Sequence, residues 1–183
     1  MAKKSKFRME VIEEKSVSRS DDAAIRRLLA GCFSKGDPFF SKFRNWHSDP
    51  EYILISRKGR EIIGHVAIVV REISCGRTKV KIAGIQSLAL KPECRGTGLS
   101  QLFMTQSMAE AWRRGIEFGL LFCVSGLERF YASLGWRSRA VPFFMRDEFG
   151  LKKRIPPKNI GMILLLSGKP FPSGTIDLRG RDW

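Results

Sequence analysis

Arg95, Gly96, Thr97, Gly98, Leu99 and Ser100 follow an apolar run, Ile85 to Leu90, and lead into a stretch free of Gly and Pro. A strand that ends in a glycine-punctuated turn and restarts as a helix makes an anion cradle. Gly96 and Gly98 lack a Cβ, so the backbone there can take left-handed dihedrals and turn its amides toward one point. A helix starting near Thr97 adds first-turn N–H groups without intrahelical partners and the positive end of its dipole, and Arg95 adds a planar fork of donors. The chemistry favoured is the binding of a phosphate-bearing ligand. Two spaced glycines after a basic residue also serve purely structural turns, so the surrounding elements must decide.

A second segment, Arg129-Phe130-Tyr131-Ala132-Ser133-Leu134-Gly135-Trp136, is an aromatic-bearing helical turn closed by glycine. It brings a phenol toward the cradle. A phenol is protonated at neutral pH and can donate to a departing anion, but a tyrosine at this spacing also serves packing alone. His65 lies within an apolar strand and His47 in a loop; both are read as structural, hydrogen-bonded histidines. Cys32, Cys75, Cys94 and Cys123 are scattered and form no C-x-x-C pair, which disfavours metal ligation and structural disulfides. Cys94 beside the turn is read as a reduced thiol without a catalytic role.

The elements that must position these groups follow from periodicity. Phe7 to Glu13 reads as a first strand, and Ser20-Asp21-Asp22 as the N-cap and acidic first turn of a helix. Ile25, Leu28, Leu29 and Cys32 fall on one face of that helix, which Gly36 and Asp37-Pro38 interrupt. Phe39 to Trp46 is predicted as a short second helix. Tyr52 to Ser56 and Ile62 to Ile73 form a hairpin around Arg57-Lys58-Gly59-Arg60, and Cys75-Gly76-Arg77 turns into a fourth strand, Val80 to Leu90. Thr97 to Arg114 suits a helix stopped by Gly115. Phe118 to Val124 is continuously apolar, as in a strand covered on both faces, and the strand-helix-strand order makes it parallel to the fourth strand. A short helix over Gly126 to Leu134, a strand over Trp136 to Phe144 and another over Ile160 to Leu166 complete the pattern. The tail from Gly168 to Trp183 is expected to fold back and bury Trp183.

The 183 residues, 43% hydrophobic, suit one buried α/β domain. No apolar run reaches the roughly 18 residues of a membrane span, and no export segment follows the basic start, so a soluble, cytoplasmic protein is expected. The net charge of +15 is spread over the N-terminal arm, Arg137 and Arg139, Lys152 to Arg154 and the tail. It suits a polyanionic partner (nucleic acid, an acidic carrier protein, or the phosphorylated ligand itself) and equally a solvated basic surface.

With both segments in view, the chain resembles the GCN5-related N-acetyltransferase (GNAT) superfamily. The acetyl-CoA motif of that superfamily runs Arg or Gln, two variable-or-glycine positions, Gly, a variable position, and Gly or Ala. Arg95 to Ser100 matches it except at Ser100, which is small enough to keep the helix close to a pyrophosphate. Phe130-Tyr131, three further residues and Gly135-Trp136 repeat a spacing the superfamily places after its parallel strand. The resemblance spans roughly Ala23 to Phe144 in the order of its elements. It implies an α/β (α+β) fold, a mixed and mostly antiparallel sheet splayed between strands 4 and 5 and flanked by helices. Residues 1–183 then form a single acyltransferase domain, with 1–6 as a basic arm and 168–183 as the packed-back tail.

The resemblance also implies a function. Acetyl-CoA or another acyl-CoA is the cosubstrate, no metal is needed, and the acceptor is a primary amine of an unidentified small molecule. Its neutral amine attacks the thioester directly, giving a tetrahedral oxyanion and then expelling the CoA thiolate. The pyrophosphate rests on Arg95, Gly96, Thr97, Gly98, Leu99 and Ser100, the pantetheine on Leu88, Ala89 and Leu90, and Tyr131 is the general acid for the thiolate. A narrower similarity to the aminoglycoside 2'-N-acetyltransferases and nodulation N-acyltransferases is carried by Leu127 to Trp136 and by the tail from Ile176 to Trp183. In the aminoglycoside group an acidic residue stands where this chain has Gln86, so the base is left among bulk-connected water, Glu93, Asp177 and the terminal carboxylate of Trp183. The competing readings are a non-catalytic nucleic-acid-binding module on the same fold and acyl transfer from an acidic acyl carrier protein.

Overall fold

A computed structural model describes residues 8–33, 38–157 and 159–183; the basic arm at 1–6 and the break at Gly36-Asp37 lie outside the described residues. In chain order the first elements are β1 (Met9–Glu13), α1 (Arg19–Phe33), α2 (Phe39–Lys42), β2 (Tyr52–Lys58), β3 (Glu61–Cys75) and β4 (Thr78–Leu90). They are followed by α3 (Leu99–Arg113), β5 (Phe118–Cys123), α4 (Glu128–Ser133), β6 (Arg137–Ser138), β7 (Phe143–Arg146), β8 (Lys152–Arg154), β9 (Ile160–Leu165) and β10 (Ile176–Asp177).

Strands β1 to β4 pair antiparallel in sequence order, β5 joins β4 in parallel, and β9 inserts antiparallel between β5 and β6. The fold is therefore the mixed, mostly antiparallel sheet flanked by helices that the sequence implies. Alternation along the strands divides the apolar residues between two faces. Tyr52, Leu54, Val66, Ile68, Ala83 and Ile85 pack with Phe103, Tyr131 and Trp136 under α3 and α4. Ile53, Ile55 and Ala67 face α1 and α2 on the other side. Farther along that second face, Val69, Ile73, Ile82 and Leu120 are covered by Phe143, Ile176, Leu178 and Trp183.

β4 and β5 pair only where Ile82 to Gly84 meet Phe118 to Leu120, so their C-terminal ends part. A bulge accompanies the splay: the β3–β4 register steps from His65 opposite Ala89 to Ala67 opposite Gln86, leaving Ser87 and Leu88 across from Val66. Ser87 takes φ +54° there, an uncommon value for a residue with a Cβ. The twist a bulge adds turns the end of β4 away from β5.

Three local expectations need correction. The cap of the first helix is Ser18, two residues before Ser20, because Ser18 Oγ accepts the Asp21 N–H (3.1 Å) and the helix begins at Arg19. The second helix is a single turn; Arg44 swings inward to ion-pair with Glu14 and Asp22, and Phe39 stacks on Trp46 at 4.9 Å. The strand expected over Trp136 to Phe144 is two strands, since Pro142 has no N–H to continue a ladder. After β7 the chain forms a hairpin that periodicity does not announce: the Asp147 carboxylate accepts the Phe149 and Leu151 N–H groups, and β8 returns beside β7.

The tail crosses the second face. β10 pairs antiparallel with β3 at Ser74–Cys75 and parallel with β7, and Trp183, 9% exposed, lies on Gly84 with the Arg71 guanidinium 5.4 Å from its ring centroid. A Cβ at Gly84 would meet Trp183 Cε2 at 2.4 Å. Gly84→Ala is expected to displace the indole at a cost of about 1–3 kcal/mol, read as a fall in Tm of roughly 2–10 °C with red-shifted tryptophan emission. Among the described residues no helix is long and apolar enough to cross a membrane.

Candidate functional site

The turn after β4 is built as an anion cradle. Gly96 and Gly98 sit at φ +72° and +85°, and the space a Cβ would fill at each is open. Leu99 is buried in the core beneath the turn, and Thr97 Oγ1 donates to the Cys94 carbonyl at 2.6 Å, so both hold the loop from inside. Leu102 N–H reaches back to the Gly98 carbonyl and closes the first turn of α3. Among the described residues, no acceptor takes the backbone N–H groups from Gly96 to Gln101. A run of free amides at the head of a fifteen-residue helix, with open space at both glycines, fits a diphosphate.

Beside the cradle lies a pocket of about 350 Å³ walled by Leu88, Ala89 and Leu90 of β4, Arg95 and Ser100 of the turn, and Leu127, Phe130 and Tyr131 around α4. Cys32 and Phe33 close it from the end of α1. It thus gathers six of the residues expected from the sequence. Gly96, Thr97, Gly98 and Leu99 do not line it; they form the adjoining turn. Cys32 and Phe33 were not anticipated. Cys32 was legible only as part of the apolar face of α1, and its Sγ–H donates to the Leu90 carbonyl at 3.2 Å.

Tyr131 is 7% exposed, and among the described residues its hydroxyl makes no hydrogen bond. Burial pushes that hydroxyl up to about 12, with Cys123 nearby adding to the effect, so the phenol keeps its proton throughout the neutral range. Its place is set by the Trp136 ring, 6.4 Å away and edge-on, and by the helix stop at Gly135 (φ +89°).

The candidate bases sit elsewhere. Burial of Asp177 is outweighed by the Arg179 N–H, Lys152 and Arg146, which together hold its carboxylate below the usual range; it clamps the tail. Glu93 is solvent-exposed beside Lys91. Gln86 is spent on structure, its Oε1 accepting the Trp46 N–H at 2.5 Å and its Nε2 donating to the Ser48 carbonyl at 3.0 Å. His47 Nδ1 meets Asp182 at 2.7 Å, joining the same loop to the tail. His65 is fully buried on β3 and bonded to the Ser87 carbonyl. Among the described residues lining the pocket, the ionisable side chains are those of Cys32, Arg95 and Tyr131. A second cavity, about 410 Å³ between Ser138–Phe143 and Arg154–Gly161, contains none of the expected site residues.

The comparisons with known proteins agree with this geometry. The family described as Acetyltransferase (GNAT) domain matches residues 13–139. No curated relative matches the sequence. The Escherichia coli ElaA crystal structure superimposes with a TM-score of 0.63 at 14% identity, covering 86% of this chain and 99% of that one. A GNAT family N-acetyltransferase (YhbS) from Escherichia coli, solved in complex with CoA, gives 0.63 at 16% identity, covering 94% and 88%. An acyl-CoA N-acyltransferase from Pseudomonas aeruginosa gives 0.61 at 12% identity, covering 86% and 99%.

Proposed function

The chain belongs to the acetyltransferase (GNAT) domain family, and on that premise we propose that it transfers an acetyl or other acyl group from acyl-CoA to a primary amine of a small molecule. The observation that carries the proposal is the adjacency of the free amides from Gly96 to Gln101 to the pocket walled by Leu88 to Leu90 and Tyr131. Bound acyl-CoA supplies an activated thioester. The turn amides and Arg95 hold its diphosphate, and the end of β4, freed from β5 by the splay, offers an apolar wall and unshared backbone groups to the pantetheine. The Tyr131 hydroxyl holds the proton that the departing thiolate takes. Among the described residues no carboxylate or imidazole lines the pocket, so the acceptor enters as free amine and water carries its proton away. Below the acceptor's own pKa the rate should then rise tenfold per pH unit.

The acceptor class rests on the narrower resemblance of Leu127 to Trp136 and of the tail to the aminoglycoside and nodulation acyltransferases. The cytoplasm belongs to the same proposal, and acyl transfer from an acidic carrier protein is the alternative to the acyl-CoA donor. Thermal unfolding with acetyl-CoA and longer acyl-CoAs is the test. At a hundred times Kd, ligand adds about 2.7 kcal/mol, or roughly 5–10 °C for a chain of this size. Thiol release with an amine panel should follow. Absence of any shift at millimolar acyl-CoA, with polynucleotide binding that collapses as salt rises, would replace the enzyme by a nucleic-acid-binding module.

A further inference from the structure

The bulge in β4 is held by an unusual partner. Ser87 sits at φ +54° without being glycine, and two residues, Ser87 and Leu88, share the place opposite Val66. Such a backbone persists only where its surroundings impose it. The buried contact on it is made by His65, 0% exposed, whose Nδ1 lies 3.0 Å from the Ser87 carbonyl. A carbonyl only accepts, so Nδ1 carries the hydrogen and Nε2 is the bare nitrogen. Nε2 is buried with no partner among the described residues, and so is Ser87 Oγ. Burial, and the Arg44 charge beyond the Ser87 bond, hold the imidazole down to about 4, hence neutral under ordinary conditions. An apolar side chain here would remove one orphaned acceptor, Nε2, and orphan another, the Ser87 carbonyl. The imidazole is thus a poor choice for packing and a good one for fixing a single carbonyl.

Leu88, the residue that the bulge sets in place, is the first of the three β4 residues that wall the pocket. We propose that His65 is a positioning residue for acyl transfer, which acts through the Ser87 carbonyl to fix the bulge and so aims the Leu88 N–H at the thioester oxygen. This inference rests on the proposed function, because it needs a thioester beside Leu88.

The test pairs two variants. His65→Leu removes the donor while filling most of the volume, and His65→Asn keeps an N–H near the place of Nδ1. In His65→Leu, kcat should fall about tenfold with Kd for acyl-CoA unchanged within twofold and Tm lower by no more than a few degrees, the cost of the unpaired Ser87 carbonyl. The amide resonances of Ser87 and Leu88 in ligand-free protein should move and their hydrogen exchange quicken. His65→Asn should restore both the resonances and most of kcat. Unaltered bulge amides in His65→Leu, or a kcat loss that tracks Tm and is not rescued by Asn, would overturn the proposal. The amide readout needs no activity. If the wild type releases no thiol from any acyl-CoA, the proposed function fails and the catalytic role of His65 with it, while the amides still report whether His65 fixes the bulge.

Discussion

Tyr131→Phe is expected to lower kcat about a hundredfold while leaving Kd for acetyl-CoA within about twofold, the pattern of a group used only as the reaction proceeds. The ring is held by packing against Phe130 and Trp136, so removing the oxygen leaves the pocket walls in place. Its hydroxyl has no hydrogen bond to lose within the described residues, and deletion should cost little stability. Because burial lifts the phenol to about 12, the wild type should show no falling limb from this acid anywhere below about pH 11. Steady-state thiol release beside calorimetric binding checks both halves of the expectation. A variant with normal kcat would remove Tyr131 from the chemistry and leave it as a packing residue.

The second large effect is expected at Gly98. Gly98→Asp should weaken CoA about a hundredfold, equivalent to about 2.7 kcal/mol of binding, with Tm lower by no more than a few degrees. Position 98 caps α3, where an acidic side chain reaches the first-turn amides and complements the helix dipole, offsetting part of the strain that any Cβ meets at φ +85°. Those same amides are the ones assigned to the diphosphate, and the carboxylate would occupy them and repel the ligand. Gly98→Ala separates charge from backbone strain at φ +85°. Ala tolerates the left-handed region less well than Asp, so strain alone would make Ala the worse binder. Charge and occupancy predict the opposite order, with Asp weaker by about tenfold. Ala weaker than Asp, or CoA affinity intact in Gly98→Asp, would move the diphosphate away from this turn.

The parts of the site legible in the sequence are those fixed by neighbours in the chain. The turn from Arg95 to Ser100 is announced by two glycines whose φ values are local requirements, and Tyr131 by its distance from Gly135. Cys32 and Phe33 reach the pocket only because α1 packs across β4, a tertiary fact that no spacing carries. The contraction of the second helix has the same origin: Gln86, forty residues on, takes the Trp46 N–H that a longer helix would have used. The split after Ser138 was readable from Pro142, whereas β8 depends on Asp147 folding its carboxylate over two amides, a turn that masquerades as an ordinary acidic loop. The sequence points to a hydrogen-bonded His65, and it is bonded, but its partner on β4 could not be seen without the register of the bulge.

The pairing of β10 with Ser74–Cys75 has a consequence for how the chain is made. During synthesis the end of β3 waits for a partner encoded over a hundred residues later, and β5 likewise waits for β9. Until the last strand arrives, Ile73 and Cys75 stay uncovered on an open sheet edge, the kind of surface that recruits neighbouring nascent chains. High contact order of this kind slows the final closure. The yield of native protein should therefore depend on translation speed and temperature more steeply than its equilibrium stability would suggest.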